Sequence, residues 1–167
     1  MVIDVQRDVV ANALDTSRVV GDINELVAKA RTSGTPVIWV QHSDDYLIKG
    51  SEGWEFVPEL VPGSDEAHVY KTRANSFTNT DLAEQLERLG TKRLVITGAQ
   101  TDYCVNATSN AAVDFGFDVT LVSDAHTTEN TPTATAAELI AAKNEQFSGL
   151  HKDGQTIAVI PTAEVTF

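Results

Sequence analysis

Residues 94–105 read Leu94-Val95-Ile96-Thr97-Gly98-Ala99-Gln100-Thr101-Asp102-Tyr103-Cys104-Val105, and the fold follows from this stretch. Leu94 to Thr97 are apolar or β-branched on both alternating faces, the pattern of a strand buried inside a parallel sheet. Gly98 ends the run. After Gln100, Thr101 and Asp102 the chain reads as a helix that carries Cys104 in its opening turn. The first N–H groups of a helix lack intrahelical partners and the macrodipole is positive there, so the position favours a thiolate. Cys104 is the only cysteine of the chain. A lone cysteine is otherwise a small buried hydrophobe, but a strand-to-helix turn on the carboxyl edge of a sheet is where open α/β folds bind ligands.

Outward from this stretch, strands and helices alternate. Met1, Val2 and Ile3 read as a first buried strand that runs into Asp4, Val5 and Gln6. From Ser17 the apolar positions Val20, Ile23, Leu26, Val27 and Ala30 recur at helical spacing, closed by Gly34 and Pro36. Pro36 to Val40 form a second strand ending at Gln41 and His42. Residues 43–63 have no period and read as a long irregular loop whose aromatics, Tyr46, Trp54 and Phe56, are placed to line a pocket or interface, with Trp54 and Phe56 alternatively plugging the edge of the core. A short third strand through His68, Val69 and Tyr70 ends at Lys71. Leu82, Leu86 and Leu89 mark a helix closed by Gly90, and Gly116 stops the Cys104 helix. Phe117 to Val122 make a fifth strand before Ser123, Asp124, Ala125 and His126. Thr131 with Pro132 signals a helix start, that helix running to about Ser148. Thr156 to Ile160 give a sixth strand. The alternation predicts one α/β domain over residues 1–167, a three-layer α/β/α sandwich on a six-stranded, mainly parallel sheet.

With 167 residues, 42% of them hydrophobic, the chain suits a single core. Twelve basic and 24 acidic side chains give a formal net charge of −12, which disfavours nucleic acid and anionic membrane surfaces as partners. One cysteine makes no internal disulfide, and no apolar segment is long enough to span a bilayer. Met1 leads into a strand with no basic leader region, so a cytoplasmic location is expected. The abrupt start also fits a chain missing a few residues before Met1.

Three chemistry-bearing residues stand at the ends of parallel strands: Asp4 after the first, Lys71 after the third, and Cys104 past the fourth. A doubly wound sheet brings such ends to one crevice. There the Lys71 ammonium would lower the thiol pKa and Asp4 would accept its proton, making sulfur a nucleophile toward a carbonyl carbon. Backbone N–H groups of Gln100 and Cys104 are placed to serve as an oxyanion hole. Asp4 would then protonate the departing amine and activate the water that cleaves the thioester. No organic cofactor is needed.

The segments VIDVQ around Asp4, HVYKTRANSFTNTDL around Lys71, GAQTDYCV around Cys104 and GFDVTLVSDAHTT further on resemble, in order and spacing, those of the isochorismatase-like cysteine hydrolases. That family includes nicotinamidases, N-carbamoylsarcosine amidohydrolase and streptothricin hydrolase. The resemblance implies a six-stranded Rossmann-like sandwich, an Asp4, Lys71 and Cys104 triad and a cis peptide between Ala99 and Gln100. It further implies a homodimer or homotetramer in which the pocket is completed across the interface. The nicotinamidase branch carries an Asp-x-His metal pair after the second strand. Here that place reads Gln41-His42-Ser43-Asp44-Asp45, so no metal is expected and His42 and Asp44 read as solvated loop residues. Gln6, Trp54, Phe77, Gln100 and His126 are the pocket candidates, with Trp54 and Phe77 alternatively core or subunit contacts. The activity implied is cleavage of a C–N bond in a small amide, lactam or carbamoyl compound. The rivals are vinyl ether hydrolysis of an isochorismate-like acid, a non-catalytic small-molecule-binding role, and a thiol redox sensor.

Overall fold

The computed structural model describes residues 1–167. Seven strands make one sheet: β1 Val2–Ile3, β2 Ile38–His42, β3 Ala67–Lys71, β4 Arg93–Ala99, β5 Asp118–Thr127, β6 Leu150–Lys152 and β7 Gln155–Ile160. Their order is β3-β2-β1-β4-β5-β7-β6, and every pair is parallel except β6 with β7. The chain therefore winds one way from β1 to β3, then starts again at β4 and winds the other way. β1 and β4 are neighbours at the point of reversal, and crevices open at the carboxyl ends of strands that diverge in this manner.

Both faces of the sheet are covered. Helix α1 (Thr16–Ser33) buries Val19, Val20, Ile23, Leu26, Val27 and Ala30 on one face, against Val2, Trp39, Val122 and Ala125 of the sheet and Phe56, Val57 and Leu60 of the long loop. Its end is set by Gly34 at φ 73°, with Thr35 N–H returning to Ala30 O at 2.8 Å. That is the left-handed closure a residue without Cβ adopts at least cost. Helices α2 (Leu82–Arg88), α3 (Asn106–Asp114) and α4 (Ala136–Phe147) cover the other face. There Leu82, Leu86, Ala112 and Phe147 meet Ile3, Val40, Ile96, Leu121 and Ile157. No helix is long and apolar enough to cross a membrane.

The structure differs from the sequence reading in three places. The sheet has seven strands because Leu150–Lys152 pairs antiparallel with β7, turning through Asp153 and Gly154 at φ 52° and 92°. Helix α4 begins at Ala136, four residues later than the Thr131-Pro132 signal. Thr135 caps it, accepting from Glu138 N–H while the Glu138 carboxylate accepts from Thr135 N–H, a reciprocal box that satisfies two orphan donors. Thr131 instead closes a local turn through Ala134 N–H at 3.0 Å. Finally, β5 continues to Thr127. Its register against β4 jumps from Ile96↔Leu121 to Gly98↔His126, which carries His126 and Thr127 alongside the end of β4.

Candidate active site

Strand register fixes the site. Ile3 lies opposite Val40 and Gly98, and His42 opposite Lys71, so Asp4, Lys71 and the segment after Ala99 leave the sheet at one edge. The approach of β1 to β4 is close: a Cβ on Gly98 would stand 2.0 Å from Ile3 O, and Gly98 has φ 119°. Only glycine fits there. Asp4 itself holds φ 51°, a left-handed conformation that Asp tolerates better than most residues and that costs on the order of 1–3 kcal/mol. Past β4, the Ala99–Gln100 peptide bond is cis. Residues Thr101–Val105 then form a π-helical turn that runs into α3, with Val105 N–H bonded to Gln100 O at 3.2 Å. Cys104 sits in this turn, half-buried.

Lys71 brings the other two together. Its ammonium lies 2.6 Å from Asp4 Oδ2 and donates to Cys104 Sγ at 3.2 Å. Both Lys71 and Asp4 are buried. Beyond the salt bridge at Oδ2, Asp4 Oδ1 makes no well-formed hydrogen bond, and the carboxylate interacts with the Cys104 side chain, which leaves it able to accept the thiol proton. Burial pushes the Asp4 carboxyl above its ordinary range, opposed by the Lys71 charge. The same burial, reinforced by the Asp4 charge, pushes the Cys104 thiol up to about 12 against the pull of Lys71. This corrects the expectation of a resting thiolate. Desolvation of the sulfur outweighs the pull of the ammonium, which favours the thiol over the thiolate.

Asp4 and Cys104 line a cleft of about 600 Å³ together with Gln100 and Tyr103 of the π turn, while Lys71 lies buried beneath, outside the lining. Val9, Tyr46, Leu47 and Ala74 form its apolar wall, and Asp8, His42, Asp44 and Glu129 complete it. Tyr46 is the loop aromatic that does line the cleft, whereas Asp8, Leu47, Tyr103 and Glu129 were missed by sequence reasoning. The signal for two of them was available, since Asp8 follows the end of β1 and Glu129 the end of β5 on the crevice edge.

Four pocket candidates are placed elsewhere, each for a physical reason. Gln6 is fully buried, its amide donating to His42 O at 2.9 Å and Trp54 O at 2.8 Å and accepting from His42 N–H at 2.8 Å. It ties the ends of β1 and β2 to the long loop. Trp54, within that loop, is buried and stacked on Tyr70 with ring centroids 5.8 Å apart. Phe77 packs on Phe115 and Phe117 at 4.6 and 6.1 Å. His126 is buried and kept neutral by desolvation. Asn144 Nδ2 donates to Ser123 O, so its Oδ1 accepts from His126 Nε2 at 2.9 Å. Nδ1 is then left to accept from Thr101 Oγ1 at 2.8 Å. His126 thus anchors the π turn that carries Cys104 and stays outside the cleft lining.

His42 and Asp44 do not suit the metal of the nicotinamidase branch. His42 Nδ1 faces the Lys71 ammonium at 3.5 Å and Nε2 meets Asp44 Oδ2 at 3.2 Å. The other Asp44 oxygen accepts from Tyr46 and Leu47 N–H, both at 2.8 Å, which holds its pKa low. With both ring nitrogens engaged, one of them by a cation, and no third ligand converging, a divalent ion has no cage here.

Comparison with known proteins decides the family. A model of the isochorismatase domain matches residues 1–148. The chain belongs to the isochorismatase family. Within the family it is 29% identical to a streptothricin hydrolase of Streptomyces noursei over 98% of this chain, and it spans 62% of that protein's length. It is 28% identical to the uncharacterized isochorismatase family protein YddQ of Bacillus subtilis, over 98% of this chain and 95% of that one. The crystal structure of an isochorismatase from Pseudomonas putida KT2440 superposes with a TM-score of 0.88 at 28% identity, covering 98% of this chain and 87% of the other. The family fold is the mostly parallel α/β sandwich described above.

Proposed function

We propose that this isochorismatase-family hydrolase cleaves the C–N bond of a small amide, lactam or carbamoyl compound through a thioester on Cys104. The observation that carries the reading is the placement of one buried ammonium, Lys71, between Asp4 Oδ2 and Cys104 Sγ at the floor of a cleft large enough for a small substrate. Similarity to a streptothricin hydrolase agrees with it.

The reaction follows from the resting thiol. As the substrate carbonyl approaches, Asp4 takes the Cys104 proton and sulfur bonds to carbon. A base whose own pKa is raised by burial is better matched to a reluctant thiol than an ordinary carboxylate. Lys71 stabilises the sulfur as it gains charge. Gln100 and Cys104 N–H groups receive the oxyanion, a contribution of about 3 to 4 kcal/mol per donor. The tetrahedral species collapses with loss of the C–N bond, and Asp4 returns its proton to the departing nitrogen. Water then attacks the thioester, giving its proton to Asp4, which restores the thiol as the acid leaves.

The test is a panel of primary amides, lactams and carbamoyl compounds assayed for released amine, with Cys104→Ala as control. Release by the parent protein and none by the variant is expected, together with an acyl adduct on Cys104 by mass spectrometry. Amine release that survives Cys104→Ala would refute the thioester route.

A further inference from the structure

We infer that the cleft selects substrates bearing a positive charge: an amide whose carbonyl meets Cys104 while a protonated or quaternary amine elsewhere in the molecule sits at the mouth. The inference rests on the reading of the cleft as an amidohydrolase site and adds the substrate's charge class. Three carboxylates, Asp8, Asp44 and Glu129, line the cleft above Asp4, and no lysine or arginine side chain lines it. Asp44 is committed to His42 and two backbone N–H groups. Asp8 and Glu129 take part in none of the ion pairs of the molecule. The Lys71 ammonium, the one cation beneath them, is already matched by Asp4.

Two aromatic rings stand with these free carboxylates. Tyr46 is 95% and Tyr103 59% exposed, and both line the cleft. Carboxylates beside open tyrosine faces are the composition with which proteins hold ammonium groups. Outside the cleft the protein supplies an example of an ammonium on a tyrosine face, where Lys49 Nζ lies 3.7 Å from the centroid of the Tyr70 ring. Tyr46 and Tyr103 have no such cation of their own. Below them the buried, unpartnered Asp4 Oδ1 marks the reacting end. The cleft is thus polarised along its depth, with reaction at the floor and charge recognition at the rim. An anionic acid of the isochorismate kind would meet three carboxylates above an ion pair that is already balanced.

Because Cys104 is the only cysteine, its labelling reads the field in the cleft without requiring turnover. Methanethiosulfonates bearing trimethylammonioethyl, methyl or sulfonatoethyl groups each form a mixed disulfide with Cys104, expelling methanesulfinate while the thiol proton leaves to solvent. Each rate is divided by that of 2-mercaptoethanol with the same reagent. The cationic reagent is expected to outpace the anionic one by at least about tenfold at low salt, the ratio collapsing in 1 M salt and falling several-fold in Asp8→Asn/Glu129→Gln. In addition, 4-aminobutanamide should protect Cys104 from the neutral reagent better than its uncharged isostere pentanamide. A ratio near one overturns the inference, as does equal protection by the two amides. So does a ratio unchanged in the double variant, which would assign the bias to the overall charge of −12. A failure of amide hydrolysis leaves these readouts standing and counts against the hydrolytic reading alone.

Discussion

Replacing Lys71 by Met preserves the length of the side chain and strips its charge, which isolates what the buried ion pair contributes. The side chains of Lys71 and Asp4 are 0% and 1% exposed and stand 2.6 Å apart. At an effective dielectric of about 20, unit charges at that separation attract by about 6 kcal/mol. Removing each ion from water costs several kcal/mol, so the pair as a whole is close to neutral for stability. Loss of one partner leaves the other charge stranded, at about 3–5 kcal/mol. Lys71→Met and Asp4→Asn are each expected to lose that much, whereas the double variant should lose far less than the sum. Asn also accepts the positive φ of position 4, so backbone strain does not confound the comparison. Urea denaturation at pH 7 of the parent, both single variants and the double variant closes the cycle. In Lys71→Met the stranded carboxyl loses the pull that opposes burial, so its folded pKa rises further above the unfolded value. The folded state then holds the proton more tightly, and the penalty should be small near pH 4 and grow as pH rises. Additivity of the two single effects to within about 0.5 kcal/mol would refute this account of the pair.

Glu66 gives a prediction of opposite sign. It pairs with Arg31 Nε at 2.7 Å and accepts from Trp39 Nε1 and Gly63 N–H, both at 2.6 Å, and the Arg31 contacts first of all hold its pKa at about 2. The stability it contributes is present above about pH 4.5 and is lost as pH falls toward 2. With half-exposed Arg31 discounted for solvent, Glu66→Gln should cost about 2 kcal/mol at pH 7 and less than half that at pH 3; equal costs at both would contradict it. Gly98→Ala should destabilise by more than about 3 kcal/mol, since its Cβ meets Ile3 backbone at a positive φ. It should also lower activity by displacing Asp4, and a midpoint unchanged in urea would rule out the close approach. Alkylation of Cys104 by iodoacetamide should accelerate with pH through pH 10 without levelling, because burial places the thiol near 12. A plateau near the ordinary value of about 8.5 would show that the ammonium prevails.

What the sequence discloses here depends on how local the physics is. Parallel strands buried on two faces leave continuous apolar runs, so Leu94 to Thr97 and Ile38 to Val40 are legible, and strand ends then bring Asp4, Lys71 and Cys104 to one edge. The edge strand β6 has three residues and one apolar side chain, too little for a period; its signal was Asp153-Gly154, a two-residue hairpin turn. The start of α4 is set by Thr135 with Glu138, a box readable as T-x-x-E that competes with the Thr131-Pro132 signal four residues earlier. Burial is not local. Whether Gln6 and His126 face a cavity or the backbone, and whether a thiol keeps enough water to ionise, depends on segments 25 to 48 positions away.

Lys71 belongs to β3, the outermost strand on its side of the sheet, and so has a ladder neighbour on one flank only. Margins fray before interiors do. The cation around which acid and thiol gather therefore rides on the part of the sheet least able to resist local opening. Inactivation by warming or mild denaturant should consequently run ahead of the collapse of helical signal, with the protein disarmed while its architecture still stands.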